Sequence, residues 1–234
     1  MTGRKLIYRV CSWLIVLLVP VALALGAVRL MMTSAFLHFE YNLSSFPPDP
    51  YGFTKADRLY WSQYDVDYLL NSAGISFLGD LRFQDGSSVY NPRELSHMVD
   101  VKNTVKGALL VWYISLGILL VLGIWAWRGG WLDDYRLGLS RGGWLTAGLL
   151  VAILLYVIFN FNAIFVAFHK IFFESGTWMF EYSDTLIRLF PEKFWQDIFT
   201  YVGGLALAPH FIGGNGADPE FIRLLERLFP GFRY

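Results

Sequence analysis

A chain of 234 residues that is 55% hydrophobic, 16% charged and of mean hydropathy +0.43 is too apolar for an ordinary soluble domain, where about a quarter of residues carry charge. A formal net charge of zero, with no basic cluster interleaved by aromatics, gives no footprint for nucleic acid or another polyanion. One cysteine, Cys11, lies inside an apolar run, which excludes a disulfide framework and a CxxC site.

Arg4, Lys5 and Arg9 precede an apolar run from Val10 to Met32, long enough to span a bilayer. It continues past the length of a signal peptide without a small-residue cleavage site, so residues 1–36 read as a retained first transmembrane helix, kinked at Pro20. Residues 37–104 form a mixed, aromatic-rich cap. Its SFPPDPYGF stretch (Ser45 to Phe53) is a stiff connector, because each proline restricts itself and its predecessor. Thr54 with Asp57 makes a capping box for a helix to about Leu70, and Gln84-Asp85-Gly86 fits a short hairpin.

Asn91, Pro92 and Glu94 mark a helix start: an acceptor at the N-cap, a ring with preset φ, and a reciprocal cap. Helical phase places His97 and Asp100 on one face, two or three turns before the second span, 105–127. Residues 128–142 read as a short arginine-bearing loop, and 143–170 as the third span, with Asn160 and Asn162 as interhelical hydrogen-bond partners. A polar, aromatic segment covers 171–193. Residues 194–212 form a fourth, glycine-interrupted span that could be re-entrant, and 213–234 an amphipathic tail on the membrane surface.

Basic residues in the N-terminus and the 128–142 loop put both on the cytoplasmic side, with two crossings between them. The cap and the 171–193 segment then share the outer side. His97 and His169 each come at an outer helix end, at similar depth. His38 is also outside, whereas His210 falls near the inner end of the last span. No HExxH, paired His/Cys spacing or intramembrane Glu-x-x-His points to metal, and no GxSxG elbow points to a serine nucleophile. Two bases without an evident nucleophile suggest a substrate that supplies its own. Arg29 suits snorkelling or an anionic or ester oxygen. Asp184 and Arg188, four apart, suit a helical ion pair or substrate contact.

FPPDPYGFT at 46–54, RELSHMVDVK at 93–102, and FHKIFF, GTWMF and DTLIRLFPEKFW across 168–195 resemble the bacterial lipoprotein intramolecular transacylases. The resemblance implies an α-helical integral membrane protein: a four-helix transmembrane bundle with a small extracytoplasmic cap, in the bacterial cytoplasmic membrane, with its site at the outer leaflet. It implies transfer of the sn-2 acyl chain of a diacylglyceryl-modified N-terminal cysteine to that cysteine's own α-amine, without a cofactor. The lipoprotein and membrane lipid are the partners. The family's essential histidines fall on His97 and His169. The expected roles are His97 as general base held by Asp100 and His169 as acid or oxyanion partner, with the reverse division open. Lys102, Arg29, Asp184 and Arg188 are supporting or substrate-binding candidates. Two other readings remain at this stage: a non-catalytic receptor or assembly module, and a membrane metal or haem protein with axial histidines.

Overall fold

The computed structural model describes residues 3–173 and 176–213, the side chains of 203–213 excepted. Its helices are α1 (Gly3–Met31), α2 (Ser34–Tyr41), α3 (Lys55–Leu70), α4 (Ser76–Gly79), α5 (Pro92–Gly129), α6 (Leu132–Phe172), α7 (Thr185–Leu189) and α8 (Glu192–Gly213). Helices α1, α5 and α6 are each long and apolar enough to cross a membrane. Leu110, Leu120, Val121, Trp127, Ile158 and Phe159 on α5 and α6 are exposed. In a bilayer such positions meet acyl chains, so their exposure costs nothing. The protein is a helical membrane protein.

Helix α1 runs on through Pro20 and packs chiefly against α6, then α5 and α8. The α1–α6 seam is close because α6 carries glycine there. A Cβ at Gly142 would sit 2.7 Å from Val19 Cβ, and one at Gly138 3.1 Å from the Ser12 carbonyl oxygen. Ser12 Oγ completes the seam by donating to the Asp134 carbonyl oxygen at 3.2 Å. Trp112 Nε1 likewise donates to Ala22 O, tying α5 to α1.

The loop expected over 128–142 is only a two-residue turn. Gly130 closes α5 in the left-handed conformation, at φ 72°, its N–H donating to Ala126 O. Trp131 packs into the core of that end, and α6 starts at Leu132. The charged residues from Asp133 to Arg141 are therefore helical. Their polarity reflects an exposed face, and Gly138 and Gly142 on the other face contact α1. Asn160 also departs from expectation. Its backbone leaves helical geometry (φ −156°, ψ 62°), and its Oδ1 accepts from Ala163 N at 3.3 Å, so it caps the last section of α6 rather than bonding another helix.

The cap joins α2, α3, α4, α7 and the turn at 82–88. Thr54 and Asp57 form the expected capping box. Arg82 and Ser88 make an antiparallel bridge around Gly86, whose φ of 84° demands glycine. The cap core is Tyr68, Leu78, Val89, Tyr90, Met98, Leu186 and Leu189, so α5 and α7 share in it. The expected tail after residue 213 lies outside the described residues.

Candidate functional site

The turn at Gly130–Trp131 makes α5 and α6 antiparallel, which returns the end of α6 to the beginning of α5. The start of α5 is fixed by its cap: Asn91 Oδ1 accepts from Arg93 N and Glu94 N, and Glu94 Oε2 accepts from Asn91 N. One turn further, His97 is 8% exposed. His169, near the end of α6, is half-buried. The two imidazoles lie face to face, centroids 6.1 Å apart and planes 19° apart.

Aromatic rings enclose the pair. Phe173 and Phe180 lie against His97 at 4.9 and 5.4 Å, while Phe165 and Trp178 lie against His169 at 4.1 and 4.7 Å. These rings, not polar groups, are what the sequence reading missed. Their cue was the clustering of phenylalanine and tryptophan around HK at 165–180, which reads equally well as an interfacial belt.

The two rings are held differently. His169 Nδ1 lies 2.7 Å from the Phe165 carbonyl oxygen. A carbonyl only accepts, so Nδ1 carries the proton and Nε2 of the neutral ring keeps its lone pair. His97 Nδ1 is buried with no hydrogen-bond partner among the described residues. Asp100, expected to hold it, makes no hydrogen bond to it; the i, i+3 spacing allowed an approach that the half-buried Asp100 side chain does not use.

The other candidate residues lie apart from the stacked pair's ring contacts. Lys102 is buried, donating to Asn71 Oδ1 and Ala73 O with its ammonium 3.9 Å from the Tyr68 ring, and so fixes the end of α3 to α5. Arg29 donates to Met32 O at the end of α1. Asp184 and Arg188 do not pair. Asp184 is the N-cap residue of five-residue α7 and binds Asn91 Nδ2 (3.0 Å) and Arg93 (3.4 Å). Arg188 instead reaches Asp49 at 3.0 Å and covers the Phe53 ring. His38 is exposed in a groove of about 580 Å³ with Ser34, Tyr60, Gln63 and Asp67. Cys11 packs with Ile15, Leu122 and Trp131 at the opposite end of the bundle. Among the described residues no group of three His, Cys, Asp or Glu is placed to hold a metal ion.

The cap also holds a buried acid. Asp65 is 1% exposed, and its Oδ2 accepts from the Tyr90 hydroxyl at 2.9 Å. Burial pushes its carboxyl well above the usual range; the Tyr90 bond opposes this and the Glu94 carboxylate adds to it.

Comparison with known proteins gives a family and a fold. A sequence model of the family described as lipoprotein intramolecular transacylase Lit matches residues 10–195. A protein of Aquifex aeolicus (strain VF5), described as uncharacterized, is 30% identical over 227 residues, 92% of this chain and 100% of that one. The lipoprotein intramolecular transacylase Lit from Bacillus cereus has a similar fold. Its TM-score is 0.71 at 21% identity, covering 97% of this chain and 98% of that one. A histidine-to-alanine variant of the Bacillus cereus protein gives 0.56 at 19% identity, over 89% and 91%. Because the family match spans both histidine-bearing helices and the cap between α1 and α5, this chain belongs to the lipoprotein intramolecular transacylase family.

Proposed function

We propose that the chain itself moves the sn-2 acyl chain of a diacylglyceryl-cysteine onto that cysteine's own α-amine, and that His97 and His169 catalyse the transfer. The observation behind this is the stacked, aromatic-enclosed imidazole pair at the ends of α5 and α6 away from their connecting turn. Amine and ester already belong to one molecule, so tethering replaces a bimolecular encounter and no enzyme nucleophile is required. The amine nitrogen attacks the ester carbonyl, the N–C bond forms, and the C–O bond to glycerol breaks. One proton leaves nitrogen and one arrives on the glyceryl oxygen, so the reaction is balanced by transfer alone.

The tautomer of His169 supports one division of roles. With Nδ1–H committed to Phe165 O, its Nε2 is the base that takes the amine proton. The proton that His169 takes from nitrogen is the one it returns to the leaving glyceryl oxygen, while His97, lacking such a bond, faces it as the N–H partner that stabilises the oxyanion. This reverses the division expected from sequence. The site lies at the outer leaflet of the bacterial cytoplasmic membrane in this reading, supported by the arginines near the N-terminus and around the α5–α6 turn, with the histidines at the other end.

Co-expression with a model diacyl lipoprotein, followed by mass analysis of its N-terminal peptide, tests the proposal. The expected product is N-acylated with one acyl chain left on glycerol. A free-amine diacyl peptide would refute it.

A further inference from the structure

We infer that Glu94 is a positioning residue for the imidazole pair, acting through the segment 176–189 that it fastens to the start of α5. The inference rests on the assignment of His97 and His169 as the reacting groups.

A capping box occupies one carboxylate oxygen, and here Glu94 Oε2 accepts from Asn91 N at 2.8 Å. The second oxygen does something a cap does not need: Oε1 accepts from Leu186 N at 2.7 Å, across the fold. Glu94 is 1% exposed, so both bonds form away from solvent, and a charged acceptor there makes strong ones. The same contact is reinforced on either side. Thr185 Oγ1 donates to Val89 O. Asp184 Oδ1 accepts from Asn91 Nδ2 at 3.0 Å, while its Oδ2 accepts from Glu181 N at 2.9 Å and faces Arg93. Arg93 also lies 5.8 Å over the Phe180 ring.

The segment so fastened carries two of the four rings that lie against the pair, Trp178 on His169 and Phe180 on His97. For His97, Phe180 closes one side of a packing site that Phe173 and His169 complete. With no hydrogen bond at Nδ1 among the described residues, packing alone sets its ring plane. Loosening the segment releases Phe180 and lets that ring turn. A misplacement of about 1 Å at a reacting group can cost on the order of 10²-fold in rate.

The test is steady-state kinetics on a synthetic diacylglyceryl-cysteine lipopeptide in nanodiscs, with ¹⁵N-histidine NMR on the same samples. The His97 signals are identified by their loss in H97A. Glu94→Gln removes one of two acceptors, and kcat should fall about tenfold with KM within about threefold. Glu94→Ala should lose about a hundredfold. Asp184→Asn, which weakens the same fastening from its more exposed side, should lose a smaller factor. In the Glu94 variants the His97 resonances should broaden or split. Folding is monitored by cooperative melting; if Glu94→Ala does not fold, the other two variants decide. Wild-type kcat in folded Glu94→Gln, a loss confined to KM, or lost turnover with unchanged His97 resonances would each overturn the inference. Full turnover in H97A would instead overturn the underlying reading of the site.

Discussion

His97 stacks on His169 with the planes 19° apart, and each ring takes its orientation from a different source. His169 is fixed by the Phe165 carbonyl, His97 by aromatic packing. Both are expected to be indispensable. Acid–base or oxyanion participation is worth typically ~10²–10⁴-fold, so His97→Ala and His169→Ala should each reduce turnover by about that, measured as N-acylated peptide formed per unit time. A histidine variant that turns over at the wild-type rate would remove that ring from the chemistry.

Arg188 and Asp49 form an ion pair in which Asp49 is nearly inaccessible, with side-chain exposures of 14% and 1%. Removing Arg188 leaves a buried carboxylate without its cation. Breaking such a pair costs about 3–5 kcal/mol, so Arg188→Ala should melt well below the wild type. A double-mutant cycle should find coupling between positions 188 and 49 and little between 188 and 184.

Much of this architecture can be read from the sequence. Asn91, Pro92 and Glu94 specify the start of α5 because a cap is a local device, satisfied by residues within one turn. The apolar lengths of α1, α5 and α6 identify them as spans for the same reason. What the sequence concealed depends on long-range partners. Asp184 and Arg188 have ideal i, i+4 spacing, yet α7 has five residues and Asp184 stands before it, where Asn91 and Arg93 compete successfully. The charged 128–142 stretch resembles a loop until Gly138 and Gly142 are seen against α1.

Gly142 supplies a third prediction. An added Cβ would lie 2.7 Å from Val19 Cβ and 3.0 Å from the Val16 carbonyl oxygen, so the helices would have to part. Overpacking of this kind costs typically about 1–3 kcal/mol. Gly142→Ala should lower the melting temperature, whereas Gly148→Ala, with nothing within 4 Å of its Cβ position, should not.

Asp65 makes stability depend on pH. The folded protein retains a proton there that the unfolded chain gives up near pH ~3.9. Its contribution is therefore present below that pH and declines as pH rises through the raised folded-state value. Asp65→Asn can still accept from Tyr90 and no longer titrates. It should gain stability relative to the wild type on going from pH 5 to pH 8 in thermal melts. An equal difference at both pH values would exclude Asp65 as the source.

The two-residue turn at Gly130–Trp131 has a consequence for how the family can vary in length. Each imidazole stands at the free tip of a long helical arm anchored at that shared elbow, the α6 arm broken once at Asn160, so tip alignment records the number of residues in both arms. Deleting one residue from either arm would draw its tip back by about 1.5 Å and swing it by roughly 100°. Relatives able to keep both tips together should therefore accept insertions in the cap far more readily than within either arm.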